Sequence, residues 1–235
     1  MAETVAFVGA AGGVGTTRVT LACAELLARD GRDTVVLDAA YETQGIADRI
    51  SGTISPDMTQ LCLSDGPLES GLIDQSIEGA GRFSVCPAHA PFSRLAKAKH
   101  PEAAERFETR VKEAQRHFEH VLIDTPPIAA NQAVAAVMGV DTVTVVCDEP
   151  RADTAVPRTA DRLADLGLDE FITVITRSSA HPDADATVPT LDQEAHPVGK
   201  TVVPVDAFSG VLEATTGVRI SSENANGIFD GFPFK

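Results

Sequence analysis

The chain is 235 residues long, 43% apolar but only 5% aromatic, with no Trp and one Tyr. That length suits a single α/β domain whose core must be built from Val, Leu, Ile and Ala. A formal charge of −15, from 34 acidic and 19 basic residues, opposes unspecific attachment to DNA, and no basic patch is visible to reverse it.

The basic residues are 5 Lys and 14 Arg. This balance resembles proteins adapted to a salt-rich cytoplasm, and the acids are spread along the chain instead of forming a tail. An acidic surface meant for a basic partner is the alternative. Cys23, Cys62, Cys86 and Cys147 show no CxxC spacing and lie in or beside apolar segments, so buried, reduced thiols are expected. Without a signal peptide or a membrane-spanning apolar run, the expected location is the cytoplasm.

Taken in order, strands and helices alternate, which implies a mainly parallel sheet with helices on both faces. The first strand is Thr4–Val8; a helix starts near Thr16 and stops at Gly31. Thr34–Leu37 is the second strand, ending at Asp38, and short helices follow around Thr43–Ile50 and Asp57–Leu63. Phe83–Cys86 is a strand closed by Pro87. Pro101 suits the first position of a helix over Pro101–Phe118, whose Phe107, Val111, Ala114 and Phe118 form one core-facing stripe. Strand His120–Ile123 leads into Asp124-Thr-Pro-Pro. Helix Asn131–Met138, strand Thr142–Val146, helix Asp153–Leu166 and strand Phe171–Ile175 continue the alternation. Ser178–Gly199 reads as a polar surface loop, Thr201–Val203 as a strand and Phe208–Ala214 as a helix. Residues 221–235 form a tail with three Phe. The whole chain is expected to be one domain.

Three motifs fall at the C-terminal ends of these strands, where open α/β sheets bind ligands: AAGGVGTT at Ala10–Thr17, VVLDAAYETQG at Val35–Gly45, and HVLIDTPP at His120–Pro127. A glycine-rich turn between a strand and a helix lets backbone N–H groups close on phosphate oxygens. In order and spacing the motifs resemble the ParA/MinD family of P-loop ATPases, the group with a variant phosphate loop. The likeness continues through Val85-Cys-Pro-Ala, Asn131-Gln-Ala-Val and Val203-Pro-Val-Asp and covers nearly the whole chain. It implies a three-layer P-loop NTPase fold. It also implies a nucleotide site at Gly12, Gly13, Val14, Gly15, Thr16 and Thr17, and a magnesium site at Thr17, Asp38 and Asp124.

The departures from that pattern are coherent. The family's signature lysine falls on Ala11, its phosphate-loop lysine on Thr16, and the second acid of its DxD on Ala40. The adenine-reading asparagine falls near Thr176. Losing one charge-assisted hydrogen bond of ~1.5–3 kcal/mol weakens phosphate binding on the order of ten- to a hundredfold. Phosphoryl transfer suffers more, because it relies on cations in the transition state. Arg18 does not share a helix face with Thr16; Arg151, Arg177 or a partner subunit remain possible sources of charge. The pattern therefore predicts a protein with no catalytic residues of its own: a non-hydrolysing scaffold or regulator in cell positioning or partitioning, with protein partners, a possible homodimer, and Mg-ATP binding weak or absent. A nucleotide-dependent switch, or a slow ATPase with a borrowed cation, are the alternatives.

Plainer readings stand beside these. The glycines can serve only to pack strand on helix, and Asp38 and Asp124 can cap nearby amides. His181, Asp183, Asp185, Asp192 and His196 share a loop but lack metal-ligand spacing. The tail carries Gly227, Gly231 and Pro233 and a single cation, so docking on the domain is expected in place of a membrane-binding helix.

Overall fold

Period-two alternation of apolar side chains explains the layers. On the first strand Ala6 and Val8 enter one core cluster while Val5 and Phe7 enter the other. Val121 and Ile123 are likewise separated from Leu122, and Val35 and Leu37 from Val36. A strand buried on both faces must lie inside a sheet covered twice. The computed structural model describes residues 2–191, 198–199 and 203–220. Among these residues lie β1 (Glu3–Gly9), β2 (Thr34–Asp38), β3 (Ile73–Asp74), β4 (Phe83–Cys86), β5 (His120–Thr125), β6 (Thr142–Asp148), β7 (Ile172–Thr176) and β8 (Ala186–Val188). They form one sheet in the order β3-β4-β2-β5-β1-β6-β7-β8. All pairings are parallel except β3 with β4.

Helices α1 (Thr16–Arg29) and α7 (Val205–Thr216) cover one face. The other face carries α2 (Met58–Leu61), α3 (Phe92–Ala98), α4 (Pro101–Ala114) and α5 (Asn131–Met138). α6 (Ala152–Asp165) contributes Leu163 to one cluster and Ala155 to the other. The fold is a three-layer α/β architecture of the P-loop NTPase kind. The expected stripe of Phe107, Val111, Ala114 and Phe118 is buried in one cluster, and all four cysteines are free and buried. No helix of the described residues is long and apolar enough to cross a membrane.

Several boundaries differ from those read in the sequence. α4 ends at Ala114, four residues before Phe118, which packs from the turn that follows. Of the helix expected over Thr43–Ile50 only a 3-10 turn, Ala47–Arg49, forms; α2 is the one turn Met58–Leu61, capped by the Asp57 carboxylate. The polar segment 178–199 contains β8, which borrows the open edge of β7. Residues 201–202 and the tail lie outside the described residues; Val203 is not in a strand.

Candidate functional site

The loop between β1 and α1 is shaped by two glycines with positive φ, 75° at Gly13 and 97° at Gly15. Gly15 is the N-cap of α1 and offers no side chain to the first helical amides. Its carbonyls are satisfied from the β6–β7 side. Arg151 Nη1 donates to Gly12 O at 2.9 Å, Arg177 Nη2 to Gly13 O at 2.9 Å, and Thr176 Oγ1 to Val14 O at 2.7 Å. The amides are not: no N–H from Ala11 to Thr17 meets an acceptor among the described residues. The loop thus presents a row of uncommitted donors at a helix N-terminus, the arrangement that binds anions. Space is present as well, since a Cβ added at Gly12 or Gly13 would meet nothing within 4 Å. Gly15→Ala keeps the space, with Thr176 Cγ2 3.8 Å away, but forces an L side chain into the left-handed region. It should cost roughly 1–3 kcal/mol in chemical denaturation.

Arg151 and Arg177 are committed elsewhere than to a ligand. Arg151 Nε and Nη2 donate to Asp148 at 2.6 and 3.0 Å, and Arg177 Nη1 reaches the same carboxylate at 2.7 Å. The hydrogen bond from Arg151 holds the Asp148 carboxyl below its usual range. The clamp buttresses the loop through its carbonyls, which is a different task from the borrowed cation considered above. Thr176, at the expected base-reading position, spends its hydroxyl on Val14 O and on Cys147 O at 3.3 Å. Asp148→Asn should lower stability by roughly 1–2 kcal/mol by thermal unfolding, the low end for charged hydrogen bonds because both guanidinium groups are partly hydrated.

The acid pair follows from strand register. Asp38 on β2 and Asp124 on β5 are direct neighbours. Because Leu37 and Ile123 face the opposite layer, both carboxylates point toward α1. Thr17 Oγ1 donates to Asp124 Oδ2 at 2.6 Å. Asp38 accepts from Ala40 N at 2.8 Å and Ala88 N at 3.0 Å, so its two oxygens hold loops at the strand ends. Both acids are buried. Burial and the charge of Asp124 push Asp38 well above the carboxylate range, and burial pushes Asp124 up to about 6.

The vacated positions are equally plain. Thr16 Oγ1 lies 2.7 Å from where a Cβ of Gly9 would stand, and Ala40 is buried beside Asp38. The amide row and the Thr17–Asp124 pair fit a phosphate chain with a divalent ion; Ala11 and Thr16 supply no charge to it. Of the histidine loop, Asp185 accepts from Thr173 N at 2.7 Å and His181 Nδ1 from Asp183 N at 3.3 Å. Asp192 and His196 lie outside the described residues. No cluster of metal-ligating side chains occurs among those described.

Solved structures share this fold. One is a plasmid partition protein from Borrelia burgdorferi bound to AMPPNP, at TM-score 0.71 and 13% identity over 91% of this chain and 97% of that one. Another is the septum site-determining protein MinD of Pyrococcus horikoshii complexed with Mg-ADP, at TM-score 0.69 and 18% identity over 91% and 95%. A third is cobyrinic acid a,c-diamide synthase from Mycobacterium smegmatis with an ATP analogue and magnesium, at 0.70 and 13% over 94% and 98%. No curated protein matches the sequence. A family model described as an AAA domain matches residues 2–177, a span that takes in the loop, both acids and the arginine clamp, and the chain belongs to that AAA domain family.

Proposed function

We propose that this chain is a ParA/MinD-like protein that holds a nucleoside triphosphate without hydrolysing it and acts, through protein partners, as a scaffold or regulator in cell positioning or partitioning. The observation that carries the reading is the row of amides from Ala11 to Thr17 left without acceptors among the described residues while the neighbouring carbonyls are capped. Packing alone does not require that division. The nucleotides bound by proteins of the same fold support the choice of ligand. Gly12, Gly13 and Gly15 would let the backbone approach the phosphates. Thr17, with Asp124 behind it, would hold magnesium, whose chemistry is to neutralise phosphate charge. Asp38 orders the strand-end loops through Ala40 and Ala88.

Turnover lacks its groups. Neither lysine position carries charge, and Ala40 offers no carboxylate to support an attacking water. Phosphate release from Mg-ATP tests this. The expected result is no release above buffer at any potassium concentration. Release that disappears in Thr17→Ala would overturn the reading in favour of a slow ATPase.

A further inference from the structure

Among the described residues Arg29, Arg32, Arg82, Arg94, Arg106, Arg110, Arg151, Arg177 and Arg219 meet a carboxylate, and Arg116, Arg158 and Arg162, which do not, are exposed to water. Arg18, in the first turn of α1, and Arg49, at the end of the turn Ala47–Arg49, are half-buried and meet no carboxylate among the described residues. They are also close to one another, and burial together with the Arg49 charge lowers the pKa of Arg18. Two like charges, partly removed from water and without an ion-pair partner among the described residues, favour the arrival of an anion.

Arg49 is fixed where that anion would matter. Its Nη1 donates to Gly45 O at 2.9 Å. A Cβ placed at Gly45 would lie 3.4 Å from that nitrogen and 3.3 Å from Thr17 Oγ1, so guanidinium and hydroxyl flank one glycine. Its main chain is anchored by Arg49 N to Ile46 O at 2.9 Å and Val198 N to Arg49 O at 2.8 Å. Its charge also acts on Asp124, against the effect of burial. A planar guanidinium with several donors suits phosphate oxygens.

We infer that Arg49, with Arg18 beside it, is the phosphate-site cation of this chain, standing in for the absent lysines, and that a triphosphate therefore binds there without a divalent metal. The inference rests on the nucleotide reading above and assigns the charge to a segment in which the motif carries none.

Titration calorimetry with ATP and with inorganic tripolyphosphate, each in magnesium and in EDTA, tests it. Wild-type affinity in EDTA should stay within about tenfold of that in magnesium. Arg49→Gln removes the charge and should weaken both ligands tenfold or more in EDTA, in line with a lost charge-assisted bond. Arg49→Lys should fall between the two, because charge returns without the fork. Thermal unfolding shows whether the variants fold; should Arg49→Gln not, Arg18→Gln gives the same readout. Loss of wild-type binding in EDTA, or equal affinity of wild type and Arg49→Gln, overturns the inference and leaves the cradle intact. No wild-type binding even in magnesium removes the cradle reading itself.

Discussion

Thr16→Lys should raise affinity for Mg-ATP on the order of ten- to a hundredfold, the equivalent of one charge-assisted hydrogen bond. The position opens α1 directly behind Gly15, and Thr16 Oγ1 sits over Gly9 at the root of the loop. A lysine there starts from a backbone already held by Arg151, Arg177 and Thr176, so little ordering opposes the new contact. The gain should appear in binding alone. Ala40 still lacks the second acid, so phosphate release in Thr16→Lys should stay at background. Unchanged affinity would mean that the loop does not meet phosphate. Appearance of turnover would mean that the lysine was the only missing catalytic group.

Asp124→Asn should make the ligand-free protein more stable by about 2 kcal/mol at pH 8, a rise in melting temperature of several degrees. Two buried carboxylates on adjacent strands oppose each other, and burial lifts Asp124 to about 6 from its ordinary 3.8. Between those values the unfolded chain has released a proton that the folded chain retains. The Asp124 contribution to wild-type stability therefore falls as pH climbs from about 4 to about 6, and Asp38, held well above its ordinary value, carries the fall further. The Asn variant keeps an oxygen for the Thr17 hydroxyl and lacks that titration. Its advantage should vanish near pH 4 and grow as pH rises through 6 in thermal scans. The same variant should lose the magnesium-dependent part of ATP affinity. Equal melting temperatures across the range would show that burial does not raise the Asp124 carboxyl.

What the sequence disclosed and what it hid follow from the scale of each signal. The parallel strands other than β8, and α1, α4 and α5, were legible because apolar periodicity ran for five or more residues or glycine and proline marked the ends. β3 and β8 were not, being two and three residues long and stabilised by the neighbouring strand instead of by their own pattern. α3 was missed because Leu95 and Ala98 are its only buried residues. At the site, strand register places Asp38 beside Asp124, and Thr17 donates to Asp124, while both oxygens of Asp38 go to the amides of Ala40 and Ala88. Arg151 and Arg177 do reach the loop, yet a sequence cannot tell which side of a loop an arginine meets; here it is the carbonyls. Arg49 left no mark at all. It lies four residues beyond Gly45, outside the motif, and only the 3-10 turn brings it back against Thr17.

The most direct test of the account is titration calorimetry of Mg-ATP and Mg-GTP against the wild-type chain in molar potassium chloride. Saturable binding of nucleotide, weakened when Thr17 is replaced by Ala, is the predicted result, because the amides from Ala11 to Thr17, which meet no acceptor among the described residues, and the Thr17–Asp124 pair would then be meeting phosphate and metal. No heat of binding at millimolar nucleotide would contradict it. The glycines would then serve only to pack β1 onto α1.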